Sequence, residues 1–254
     1  MKIIVLIKQV PDTYSDRRLD PVTGRIDRAE TDRVVDEITE RAMEVALAHK
    51  DASDAEVILM TMGPASATDV LRKGLAIGAD RAVHILDEGL VDSDMLRTSA
   101  VLAAALRREG FDLVIAGNES TDGRGGAMAA MIAEHLSLPH ATSLNTVSIS
   151  GGTVSGERAG EKGTRAIRAS LPAVISITER NPEARFPSFK GSMRAKKKPL
   201  DTVTLAELAV VEPASRARVL SATQRPARTT GRKVVDDGNA AAELAGFLTS
   251  SHLI

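Results

Sequence analysis

Five short runs dominated by Val, Ile and Leu recur along the chain, KIIVLIKQV, AEVILMTMG, RAVHILD, FDLVIAGN and PAVISITE. Runs of this length without polar alternation suit strands that are covered on both faces. The segments between them supply the covers. TERAMEVALAHK places Ala42, Val45, Ala46 and His49 on one stripe, and ASATDVLRKGLAIGA opens on a Ser/Thr capping signal and closes at Gly78. SDMLRTSAVLAAALRREG runs from Ser93 to a terminating Gly110. This strand–helix rhythm predicts an α/β fold, a doubly wound, mostly parallel sheet flanked by helices. The rhythm then breaks. NTVSISGGTVSGER reads as an added β-hairpin turning at Gly151-Gly152. Beyond residue 200 the chain becomes Ala-, Arg- and Thr-rich, with Pro213 and Pro226, and ends in a modest helix, NAAAELAGFLTS. The expected organisation is one nucleotide-binding-like domain over residues 1–200 and a C-terminal arm over 201–254.

Several kinds of chemistry are excluded by residue types. With Cys 0 there is no disulfide, thiolate metal site or cysteine nucleophile, which fits a reducing, cytoplasmic setting. The His residues have no metal-ligand spacing, and no nucleophile elbow occurs, so neither a metal centre nor a catalytic residue is expected. No apolar window approaches the roughly 18 residues of a membrane span, and MKIIVLIKQV lacks a cleavage site and reads as the first buried strand.

Sheets of this type bind ligands beyond the carboxyl ends of their strands. Three loops qualify, VPDTYSD, MGPAS and GNESTDGRGGAMAAM. The third combines Gly117, Gly123, Gly125 and Gly126 with Ser120, Thr121 and Asp122 and then enters a helix, a composition that brings backbone N–H groups close to an anion. It matches neither G-x-G-x-x-G nor the P-loop, and the plain alternative is a tight connection between strand and helix. Asp36, Glu37 and Glu40 precede a helix and read first as partners of its dipole.

RFPSFKGSMRAKKKPL is unusual for a different reason. The chain has only 4 Phe, yet Phe186 and Phe189 fall together here beside Pro187 and Gly191, in what reads as a loop. Charge is also concentrated at this point. Residues 185–233 carry 12 basic and 3 acidic side chains, whereas the whole chain has a net charge of -1. A basic segment of this kind lies on an acidic partner or forms a solvated tail.

The order of the motifs is recognisable. IKQVPDT, GPASATDVLRKGLAIGADRAVHI, FDLVIAGNESTDG, LPAVISITERNPEARFPSFKGSMRAKKKP and RPARTTGRKV together resemble the β subunit of electron transfer flavoprotein in its actinobacterial form, over nearly the whole chain. The resemblance implies an electron carrier subunit without catalytic residues of its own, paired with an α subunit that holds most of the redox FAD. It implies electron uptake from flavin dehydrogenases, such as acyl-CoA dehydrogenases of fatty acid oxidation, and delivery to a membrane quinone oxidoreductase. An AMP in the β subunit is also implied.

Carried over by position, that pocket takes Leu6, then Asp36, Glu37, Ile38 and Thr39, then Met62. It continues through Gly117, Asn118, Glu119, Ser120, Thr121, Asp122, Gly123, Arg124, Gly125, Gly126, Ala127 and Met128. Thr13 and Tyr14 would border the flavin. The sequence departs from its relatives where many carry Asn-Pro-Phe, here Asp36, Glu37 and Ile38, and where they carry Gln-Thr-Gly or Gln-Val-Gly, here Ala127, Met128 and Ala129. Those changes remove side-chain donors and add acids. Residues 182–198 correspond to the family's partner recognition loop, with Arg185, Phe186, Phe189, Lys190 and Met193 at the partner surface. Phe189 is the expected outward anchor and Phe186 the expected inward support, with Lys196, Lys197 and Lys198 steering acidic partners or bracing the loop.

Three alternatives stand beside this reading. A flavin-bifurcating relative would hold a second FAD in place of AMP. A stand-alone adenine-nucleotide module would share the rhythm but leave residues 185–233 unexplained. A nucleic-acid binder would need more aromatic residues than this chain has.

Overall fold

The computed structural model describes residues 1–254 except 16, 29, 30, 209, 211–215, 218, 224 and 228. Pro213, Arg218 and Arg228 of the expected arm therefore lie outside the described residues. Contacts divide the chain into two compact units, Met1–Ala222 and Thr223–Ile254.

The first unit is built on β1 (Lys2–Leu6), β2 (Gln9–Pro11), β3 (Arg33–Val35), α1 (Glu37–Asp51), β4 (Glu56–Met62), α2 (Thr68–Ile77) and β5 (Arg81–Ile85). It continues with α3 (Met95–Glu109), β6 (Leu113–Gly117), α4 (Met128–Leu136), β7 (His140–Leu144), β8 (Thr146–Ser150), β9 (Thr153–Gly160) and β10 (Gly163–Ser170). Last come β11 (Ala173–Ile177), α5 (Phe189–Ala195), β12 (Leu200–Val203) and α6 (Leu205–Leu208). The main sheet has 7 strands in the order β12-β5-β4-β1-β6-β11-β7, and each neighbouring pair runs parallel. The expected α/β fold is the fold observed.

Alternation along the strands divides the core. Ile3 and Val5 of β1 join Val57 and Leu59 of β4 and the buried faces of α1 and α2. Ile4 and Leu6 join Ile58 and Met60 and the buried faces of α3 and α4 on the other side. One strand thus feeds two cores, which is why its sequence is apolar without alternation. The buried stripe of α1 is Ile38, Thr39, Ala42, Met43, Ala46 and Leu47; Val45 and His49, expected on that stripe, are only partly covered.

The hairpin at Gly151-Gly152 is present, with φ of 56 and 73 at the two glycines, as a turn of this type requires. It belongs to a 3-stranded antiparallel sheet, β10-β9-β8. Part of the stretch expected as the arm lies in the first unit, where β12 forms an edge of the main sheet against β5. A four-residue strand with only one buried side chain carries too little apolar signal to be read from sequence.

The second unit contains α7 (Ala240–Ser250), where Leu244 and Phe247 are exposed and Arg232 pairs with Glu243. Among the described residues no helix is long and apolar enough to cross a membrane.

Candidate functional site

The chain runs from β1 outward through β4 and β5, then crosses back to β6 on the other side of β1. The loops leaving β1 and β6 therefore diverge at the carboxyl end of the sheet, at the place where such folds open a crevice. Lys8 follows β1 and the Gly-rich loop follows β6. Leu6, Met62 and Gly117 lie at or beside the ends of three adjacent strands, β1, β4 and β6, so these expected positions do come together.

The N-terminus of α1 reaches the same place. Asp36 is the N-cap of α1 and its side chain accepts the Ile38 N–H at 3.1 Å. Its other oxygen, Oδ2, accepts the Thr121 N–H at 2.6 Å and the Thr121 hydroxyl at 2.8 Å. Asp36 is fully buried, whereas Glu37 is exposed to solvent. Ile38 packs on the Gly117 backbone, where an added Cβ would come within 2.9 Å of Ile38 Cγ2. Thr39 donates its hydroxyl to Asp36 O at 2.8 Å and accepts the Lys8 N–H.

A second carboxylate is buried in the loop itself. Asp122 has 0% side-chain exposure and lies 2.7 Å from Lys8 Nζ and 2.8 Å from Arg28. It also accepts the Gly123 N–H at 2.6 Å. Burial disfavours its charge, but Lys8, Arg28 and the Ser120 hydroxyl outweigh burial and hold the carboxyl far below the usual carboxylate range. Arg17 donates to the Thr121 carbonyl and to its hydroxyl. Residues of the segment between β2 and β3 thus fasten the Gly-rich loop from outside.

Lys8, Arg17 and Arg28 were not identified from sequence. Their partners lie 114, 104 and 94 residues away in the chain, and no local spacing announces such pairs. The loop after β4 is tied in as well. Gln9 Nε2 donates to Ser66 O at 2.8 Å, and the Ser66 hydroxyl donates back to Gln9 Oε1 at 2.7 Å. Buried His84 holds that loop through Gly63 O at 3.1 Å and meets the Thr68 hydroxyl at 3.3 Å.

The far end of the Gly-rich loop is open. Gly123, Arg124, Gly125, Gly126 and Ala127 are exposed, and Gly126 has a φ of 67. α4 starts without a side-chain cap, and its first intrahelical bond is Met131 N–H to Ala127 O. Gly125 is not open on its Cβ side, where Met95 Sδ would lie 2.6 Å from an added Cβ.

The stretch at residues 185–198 is not an irregular loop throughout. Ser188 caps α5 by accepting the Gly191 N–H at 3.0 Å, and the helix lies across α2. Arg72 donates to Ala195 O and Lys198 O, both at 2.9 Å, and Lys198 donates to Leu75 O and Ala79 O. Arg185 grips Glu44 and Asp51 of α1. Arg185 and Lys198 therefore brace the segment on its own domain, while Lys190, Lys196 and Lys197 stay exposed. Phe189 is 86% exposed and Met193, one turn on, is 60% exposed. Phe186 is 93% exposed, so the inward support expected of it is not made against this chain's own domain. The braces consist of backbone carbonyls and ion pairs, so the segment needs no aromatic residue beneath it.

A family model described as the electron transfer flavoprotein domain matches residues 23–208. The electron transfer flavoprotein subunit beta of Mycobacterium tuberculosis is 48% identical, with 99% of both chains covered. The corresponding subunit of Megasphaera elsdenii is 35% identical over 82% of this chain and 80% of its own. The CarD subunit of the caffeyl-CoA reductase-Etf complex of Acetobacterium woodii is 33% identical over 98% and 97%.

Proposed function

As the chain belongs to the electron transfer flavoprotein family and is similar over its full length to β subunits, we propose that it pairs with an α subunit and carries electrons from flavin dehydrogenases to a membrane quinone oxidoreductase. The observation that carries this reading is the 48% identity maintained across 99% of the chain, which includes the crevice and the α5 segment together. The FAD, held mainly by the α subunit, supplies the redox chemistry when bound. This chain's part is placement and docking.

The exposed Tyr14 and neighbouring Thr13, just beyond β2, are suited to border a flavin presented by the second chain. Phe186, Phe189 and Met193 form the docking surface for the dehydrogenase. The segment's backbone is braced on its own domain, which limits the backbone freedom lost on contact, a condition under which a few apolar anchors can dominate binding. Lys190, Lys196 and Lys197 steer an acidic partner without setting its specificity. The exposed apolar residues of α7 suit a second unit that is covered by the α subunit.

Co-expression with the α subunit tests the proposal. A yellow heterodimer with about one FAD, reduced by a flavin dehydrogenase and reoxidised by a quinone acceptor, is the expected result. A colourless monomer would remove the reading. About two FAD per heterodimer would favour the bifurcating relative instead.

A further inference from the structure

We infer that the Gly-rich loop is occupied by the chain's own carboxylates, Asp36 and Asp122, and that this subunit keeps no resident AMP. The inference rests on the flavoprotein reading above and concerns the pocket in which such a nucleotide is expected.

A phosphate at a loop of this kind needs convergent N–H and hydroxyl donors, and cations close by. The loop has both, and most of them are in use; the buried Arg17 Nε and Asn118 Oδ1 have no partner. The Thr121 N–H and hydroxyl go to Asp36, and the Gly123 N–H goes to Asp122 and the Ser120 hydroxyl oxygen. Lys8 and Arg28 pair with Asp122, and Arg17 is bound to Thr121. Both acids are buried, Asp36 at 0% exposure and Asp122 with 0% of its side chain exposed, so neither can be moved aside without losing its hydrogen bonds. A phosphate brought to the same donors would have to displace Asp36 and Asp122 from the hydrogen bonds and cations they already satisfy.

Apart from Arg17 Nε, the donors that remain are at the other end of the loop. They are the exposed Arg124 side chain and the main-chain N–H groups from Gly125 into the first turn of α4, in a stretch exposed from Gly123 to Ala127. Gly125, Gly126, Ala127 and Met128 offer no polar side chain to hold a phosphate in place. On one side of Gly125 the space is already taken by Met95. An anion there would be held by solvent-facing backbone and the exposed Arg124 side chain, which bind weakly and exchange. The internal carboxylates do the structural work that a bound phosphate would do: they tie α1, the Gly-rich loop and the segment between β2 and β3 into one piece.

The test uses the purified heterodimer, extracted with acid, with FAD and AMP quantified separately. The expected contents are about one FAD and less than about a tenth of an AMP per heterodimer. AMP near one equivalent beside FAD would overturn the inference and leave the flavoprotein reading intact; absence of FAD would count against that reading instead. The heterodimer with Asp122→Asn provides the second arm, because it releases Lys8 and Arg28 and removes one buried charge. Added AMP should raise its unfolding temperature while leaving the parent unchanged. If the variant gained nothing from AMP, the assignment of Asp122 as the occupant would fall.

Discussion

Asp36 Oδ2 lies 2.6 Å from the Thr121 amide nitrogen, while the other carboxylate oxygen caps the first turn of α1. One side chain therefore satisfies the start of a helix and the middle of a loop 85 residues further along. This contact sets the geometry of the crevice, because α1 and the Gly-rich loop cannot separate without exposing a buried carboxylate.

Asp36→Ala should lower the stability of the chain by about 2–4 kcal/mol, the sum of a lost helix cap and an unpaired buried N–H. Denaturant unfolding measures it. Loss of less than about 0.5 kcal/mol would show that the two contacts contribute little.

Gly191 is where α5 meets α2, and a Cβ built there would lie 2.3 Å from Ala76 O. Backbone cannot yield as a flexible side chain can, so Gly191→Ala should lift α5 from its seat. Hydrogen exchange of residues 186–198 in the heterodimer should quicken while exchange in β1 and β4 stays slow. An unchanged exchange pattern would mean that the helix accommodates the methyl group.

Phe189→Ala should leave FAD content and subunit assembly intact and cut electron uptake from the dehydrogenase by roughly tenfold, the factor set by about 1.4 kcal/mol of lost docking energy. With Phe186 exposed as well, Phe186→Ala should slow uptake too, in contrast to the folding defect expected of an inward-facing aromatic. Reduction rates at limiting protein concentration, read beside unfolding temperatures, separate the two cases.

Acid should weaken the first unit in two steps. Burial holds His84 below its ordinary value of 6.5, against the opposing pull of the Gly63 carbonyl. The unfolded chain then binds the proton more readily, so stability is complete above pH 6.5 and falls as the pH drops below it. Asp122 is depressed from 3.8, and its contribution is complete above that value and lost as the pH falls further. Unfolding temperatures measured from pH 8 to pH 3 should show both declines, and His84→Gln should reduce the upper one only, the remainder coming from His49, which burial also holds below 6.5. A variant with the parent's full pH profile would exclude His84 as the source.

The sheet was readable from sequence because burial on both faces imposes a composition that a single strand cannot disguise, as KIIVLIKQV and FDLVIAGN show. The helix end at Gly110 and the turn at Gly151-Gly152 were readable for a similar reason: backbone geometry selects the residue locally. The Gly-rich loop and the paired phenylalanines also stood out by composition. What those features touch was not local. Asp36 with Thr121, Lys8 and Arg28 with Asp122, Arg185 with Glu44 and Lys198 with the end of α2 join residues that share no periodicity. The seat of α5 is set in the same way, through backbone carbonyls that carry no sequence mark. The sequence by itself determined which segments are buried and where the chain turns, since those depend on each residue's own solvation and φ. Only the tertiary structure decided which charge meets which, because Coulomb and hydrogen-bond partners are chosen by distance in space.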